Sequence, residues 1–313
     1  MKNASAIHPK RLPLFAVIAL GMTLLCTVLR CVSLFLFYDG EAGYYAFHTA
    51  LPVVTTVIQV LSVAALLLFA LFGFSKEEAP LPVPSFGARL TALLPAAAIL
   101  FVSVYSLISN EAASFVTVLP FEPAILFVLS FILSIAAAAF FLLLCCAQGK
   151  QSWVRASLLL TGIAGLLFFA VRLAISYFHF GVRMNAPMKL TVQICCLTAM
   201  LLLLSELRIT GNEQKPRFSL FATGAAVLLL GSTAIPSLAA QWCGVLGTTH
   251  PLWPMDVVSV ALFVYSFVRL VQICRLSAKR QAEQTPLEED TGSSSNPDST
   301  SESSNSEPSE ETN

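Results

Sequence analysis

Charge is what this sequence has least of. Of its 313 residues only 12% are Asp, Glu, Lys or Arg, while 56% are hydrophobic; soluble domains carry about 25% charged residues. A soluble chain of this make-up would leave far more apolar surface in water than folding tolerates. Catalytic signatures are missing too. There is no H-E-x-x-H, no G-x-S-x-G, no Walker A loop and no G-x-G-x-x-G, the motifs that place metal ligands, nucleophiles or phosphate-binding backbone. The polar stretches between apolar runs are too short to hold a soluble catalytic domain.

Among eight cysteines there is no C-x-x-C pair. Five of them, at positions 26, 31, 145, 195 and 196, fall inside apolar runs, where a thiol behaves as a small hydrophobe. Neither a disulfide framework nor a metal pair is read. After Lys10 and Arg11 the first apolar run is too long for a signal peptide and no A-x-A site closes it, so it is expected to remain as a span. No stretch resembles a known family.

What is present is apolar length. A hydrocarbon core about 30 Å thick needs roughly 20 apolar residues at about 1.5 Å rise each. Eight stretches meet that requirement: 12–37, 51–74, 90–109, 123–146, 154–178, 187–205, 218–240 and 255–274. The fold class expected is therefore an all-α membrane protein with eight transmembrane helices. Its organisation reads as a short basic N-terminus (1–11), a first four-helix unit (12–147), a second (148–280) and an acidic, Ser-rich tail (281–313).

The cationic residues alternate along the chain. Lys10 and Arg11 precede the first span, and Lys76, Arg89, Lys150, Arg155, Arg208, Lys215 and Arg217 follow the second, fourth and sixth. The segments after the first, third and seventh spans have no Lys or Arg, and only the one after the fifth dissents, with Arg183 and Lys189. Because basic segments stay cytoplasmic during insertion, both termini are expected inside the cell, in the plasma membrane. The tail holds nine acids and no base, a net −9 against +9 for the remainder. Without apolar periodicity it is expected to be disordered.

The two halves share ordered similarities. Val28-Leu29-Arg30 with its aromatic exit parallels Ala170-Val171-Arg172, and Thr56-Val57-Ile58-Gln59 parallels Thr191-Val192-Gln193-Ile194. Four spans per unit would make this a parallel repeat.

Arg30 and Arg172 are the sharpest candidates for function, since a charge within a span costs at least about 2.5 kcal/mol at the centre and tends to mark a site. With Asp39 and Glu41 beyond the first span, they form the expected ligand-binding set. Each arginine is also placed to snorkel toward headgroups. The expected outer segments further gather Glu111, Glu122, Asp256, His48, His179 and His250, donors that suit a divalent cation, yet no two of these histidines have helical ligand spacing, and no metal or cofactor is assigned. Gln59, Gln193, Ser103, Ser106, Thr161 and Ser232 read as interhelical hydrogen bonds, and Gly162, Gly165, Gly224 and Gly231 as close-packing positions. The leading functional expectation is a carrier or receptor for a small polar or anionic ligand. A non-catalytic scaffold or partner subunit is the alternative, and a lipid-modifying enzyme the third. Expected partners are the bilayer, a small molecule and a protein meeting the tail; nucleic acid is not among them.

Overall fold

The computed structural model describes residues 11–46, 49–74, 84–109, 123–146, 152–178, 186–211, 215–246 and 252–284. Its helices are α1 (Arg11–Phe37), α2 (Leu51–Phe72), α3 (Phe86–Thr91), α4 (Leu93–Ile108), α5 (Pro123–Cys146), α6 (Ser152–Phe178), α7 (Pro187–Gly211), α8 (Pro216–Trp242) and α9 (Trp253–Gln284). A small hairpin, β1 (Tyr38–Asp39) and β2 (Tyr44–Tyr45), follows α1.

Among the described residues eight helical segments are long and apolar enough to cross a membrane, with α3 and α4 together forming one of them, Phe86–Ile108. The chain is a multi-pass helical membrane protein. The break between α3 and α4 has a local cause: Pro95 has no N–H for the carbonyl of Thr91, and the Ala92 N–H turns back instead to Arg89 O at 3.0 Å. Two elements outrun their expected ends. α7 continues to Gly211 rather than 205, and α9 to Gln284 rather than 274. The first four residues assigned to the tail are thus helical; the rest of it, with its expected disorder, lies outside the described residues.

α1 runs from the N-terminal end of the bundle to the hairpin end, and successive spans alternate in direction. α8 is the hub, packing against α1, α2, α7 and α9. Its most apolar window is 78% buried, whereas that of α2 is 28% buried. Small residues allow this. A Cβ at Gly224 would come within 2.7 Å of the Phe15 ring, and one at Gly231 within 2.7 Å of Phe263 and 2.9 Å of Thr23. At its hairpin end α8 stops in a Schellman turn: Gly244 adopts φ 73°, Val245 N–H donates to Ala240 O at 2.9 Å and Gly244 N–H to Gln241 O at 3.1 Å.

The remaining helices close a ring in which α4, α5, α6 and α7 follow one another and α9 returns to α4. The first four spans do not gather into a bundle of their own, because α1 and α2 lie on α8 while α4 and α5 join α9 and α6. A duplication would require α6 to pack on α4 as α1 packs on α8, and no comparable contact joins them. The packing gives the repeat no support.

An ion pair crosses the interior. Arg269 Nε donates to Glu206 Oε1 at 3.0 Å and Nη2 to Oε2 at 3.4 Å, with Nη1 donating to Gln272 Oε1 at 3.0 Å. Both charged side chains are almost fully buried. The pair ties α7 to α9 and keeps the last turns of α7 inside the protein, which is why that helix extends past the end of its apolar run.

Candidate ligand-binding cavity

Arg30 lies seven residues before the end of α1, about 10 Å below the hairpin end at 1.5 Å per residue. Its Nη2 donates to Thr191 Oγ1, one turn into α7. Thr191 is held in turn by a hydrogen bond to Pro187 O at 2.9 Å, in a helix whose first residue, being proline, has no N–H left to satisfy. Arg30 is half-buried, and its Nε is buried with no hydrogen-bond partner among the described residues.

Arg30 forms part of the wall of a cavity of about 380 Å³. α2 packs along α1 and α8 and stands off α7, and the cavity fills the gap left between α2 and α7. Its polar lining comes from Arg30, Ser33, Tyr45, Thr55, Thr56, Gln59 and Thr191; Val53, Val57, Leu190 and Ile194 supply apolar wall. Several of the polar groups are fixed by the fold. Ser33 Oγ donates to Leu29 O at 2.8 Å and meets Thr55 Oγ1 at 3.5 Å. Gln59 Nε2 donates to Ser232 Oγ at 2.9 Å, pinning α2 to α8.

The hairpin lies over this region. Tyr38 pairs with Tyr45 across the strands, with ring centroids 5.5 Å apart in an edge-on arrangement. Burial, reinforced by Tyr45, Asp39 and Tyr44, pushes the Tyr38 phenol up to about 12. Burial also raises Tyr45, against an opposing pull from Arg30. Tyr45 therefore presents an O–H donor near the guanidinium at neutral pH. Asp256, on the first turn of α9, lies within electrostatic range of Arg30. It is 1% exposed, and its Oδ1 has no hydrogen-bond partner among the described residues. Cys195 Sγ of α7 meets Thr233 Oγ1 of α8 at 3.1 Å.

The other expected site residues are not brought together with Arg30. Arg172 is buried on α6, donating from Nη1 to Ser106 Oγ of α4 at 3.2 Å; it does not line the cavity. Asp39 makes the hairpin turn instead, its Oδ1 accepting from Glu41 N–H at 2.9 Å and Ala42 N–H at 3.1 Å. Glu41 is exposed on that turn. Asp256, expected in an outer segment, is inside the bundle. Among the described residues no three His, Cys, Asp or Glu side chains converge, while His48, His179, His250, Glu111 and Glu122 lie outside them. All eight cysteines are free.

Sequence reasoning passed over the Glu206–Arg269 pair. Its signal in the sequence is one acid just past the sixth apolar run, Glu206, and one base among the apolar residues of the eighth, Arg269. Lys189, read as part of a segment between spans, is instead 2% exposed in the first turn of α7. Compared with known proteins, the chain matches no family model, no curated sequence and no solved structure.

Proposed function

We propose that the protein is a carrier or receptor for a small polar or anionic ligand held in the cavity beside Arg30. The observation that carries this reading is the half-buried Arg30 guanidinium in the wall of a cavity otherwise lined by hydroxyl, amide and apolar groups. A guanidinium offers paired N–H donors that match a carboxylate or phosphate in a plane. The Thr55 and Thr56 hydroxyls, whose protons go to Leu51 O at 2.8 Å and Pro52 O at 2.9 Å, add acceptors for a neutral polar portion, and Tyr45 adds an O–H donor. About 380 Å³ falls within the roughly 300–1,000 Å³ of small-molecule sites, and this volume suits a metabolite rather than a polymer.

The cations support an orientation. Arg11, Arg89, Arg155, Arg208, Lys215, Arg217 and Arg275 belong to the N-terminal end, whereas the described cations toward the hairpin end, Arg30, Arg172 and Lys189, belong to the bundle itself. In this reading the N-terminal end faces the cytoplasm, the protein resides in the plasma membrane, and the cavity opens outward.

The test is a thermal-stability screen of the purified full chain against carboxylates, phosphates and neutral polar metabolites, run beside Arg30→Gln. A ligand at 100 times its dissociation constant adds about 2.7 kcal/mol, a readily measured rise in midpoint. The expected result is a rise in wild type that Arg30→Gln loses. If no compound raises the midpoint, the scaffold reading takes its place.

A further inference from the structure

A second cavity, of about 480 Å³, lies at the opposite end of the molecule. Its walls are Leu67, Ala70 and Leu71 from the last turns of α2 and Phe218 and Phe221 from the start of α8, and Lys215, Pro216 and Arg217 complete it. None of these lining residues is acidic. A third cation stands behind the wall, where the Arg208 guanidinium stacks 4.9 Å from the centroid of Phe218.

The two lining cations have different structural duties. Arg217 is anchored, with Nη2 donating to Phe74 O, and Phe74 is locked among Phe15 and Phe69 at centroid separations of 6.1 and 5.8 Å. Its buried Nε nonetheless has no partner among the described residues. Lys215 is exposed; its carbonyl accepts from Ser219 N–H at 3.1 Å, and its side chain makes no hydrogen bond or ion pair among the described residues. It contributes charge to the cavity without holding the fold together. Leu67 and Leu71, 39% and 44% exposed, continue the apolar wall outward along α2, in the direction of the membrane interior.

A fixed guanidinium and an exposed ammonium at the level of a helix end, with apolar surface running from them toward the bilayer, suit a phospholipid with an anionic headgroup. The phosphate would meet Arg217 and Lys215, and an acyl chain would lie along Leu67, Leu71 and Phe221. We infer that this groove is a specific site for an anionic phospholipid of the leaflet at the N-terminal end, independent of the Arg30 cavity.

Native mass spectrometry of the full chain, released from bilayers containing phosphatidylglycerol and phosphatidylcholine in equal amounts, tests this directly. The expected spectrum retains one phosphatidylglycerol in preference to phosphatidylcholine. Lys215→Gln should weaken that retention about fivefold, the effect of one cation near an anionic surface. Arg155→Gln removes an exposed cation from α6, outside the groove, and should leave retention unchanged. Equal retention of the two lipids would overturn the assignment, as would equal loss in the Lys215 and Arg155 variants. Inorganic phosphate that displaces the lipid and stabilises the protein as well as phosphatidylglycerol does would also overturn it, by showing a free-anion site.

Discussion

The costliest residues to have inside this protein are Glu206 and Arg269, and they are the ones that satisfy each other most completely. Two charges removed from water lose several kcal/mol of solvation each, and only a hydrogen-bonded partner offsets that loss. Here the carboxylate accepts from two guanidinium nitrogens, and Gln272 takes a third. Arg269→Leu should therefore destabilise the fold by about 3–5 kcal/mol, because Glu206 would be left buried and alone. The double variant Glu206→Leu, Arg269→Leu should recover most of that. Unfolding of both variants and of Glu206→Leu in a double-mutant cycle measures the coupling; additive losses would show that the pair does not act as a unit. Arg30 differs from Arg269 in kind. It has a hydroxyl partner and a bare Nε where Arg269 has a carboxylate, which is why function is assigned to one and stability to the other.

Among the elements, α8 and the hairpin carry the sharpest expectations. α8 has Gly and Ala where α1 and α9 approach, so Gly231→Ala should force Phe263 and Thr23 outward and cost about 1–3 kcal/mol, the usual toll of overpacking. A thermal midpoint indistinguishable from wild type would mean that the interface relaxes freely. The hairpin has a pH signature. A phenol titrating higher in the folded protein binds its proton more tightly there, so its contribution to hairpin packing is complete below about pH 10 and is lost as the pH rises toward 12. The phenolate absorbance of wild type minus that of Tyr38→Phe should give a titration centred near 12; a midpoint near 10 would mean that Tyr38 is solvated.

Element positions were legible from the chain because twenty-residue apolar runs admit one solution in a bilayer. Their neighbours were not, since helix-to-helix contacts depend on residues that look alike in sequence. Gly224 and Gly231 could be read as packing positions, but not that Phe15 would meet one and Phe263 the other. Asp39 read as a ligand because it is an acid beside an aromatic run, and became a turn because its carboxylate reaches the backbone N–H groups of Glu41 and Ala42. Arg30 and Arg172 occupy like places in their helices, yet α1 rests on α8 while α6 rests on α5 and α7, and so the two charges face different surroundings.

At the scale of the whole molecule, charge is distributed by end. Among the described residues the N-terminal end gathers exposed cations beside the proposed lipid groove, and the hairpin end has Arg30 in the wall of a cavity. On the proposed function, Arg30 makes that cavity a site for a polar or anionic ligand. The decisive measurement is a calorimetric titration of the strongest stabilising compound from the screen into wild type, Arg30→Lys and Arg30→Gln. Wild type should bind one-to-one, Arg30→Lys should lose part of the affinity because lysine keeps the charge but not the fork, and Arg30→Gln should lose at least about tenfold, or about 1.4 kcal/mol. Undiminished binding by Arg30→Gln would contradict it.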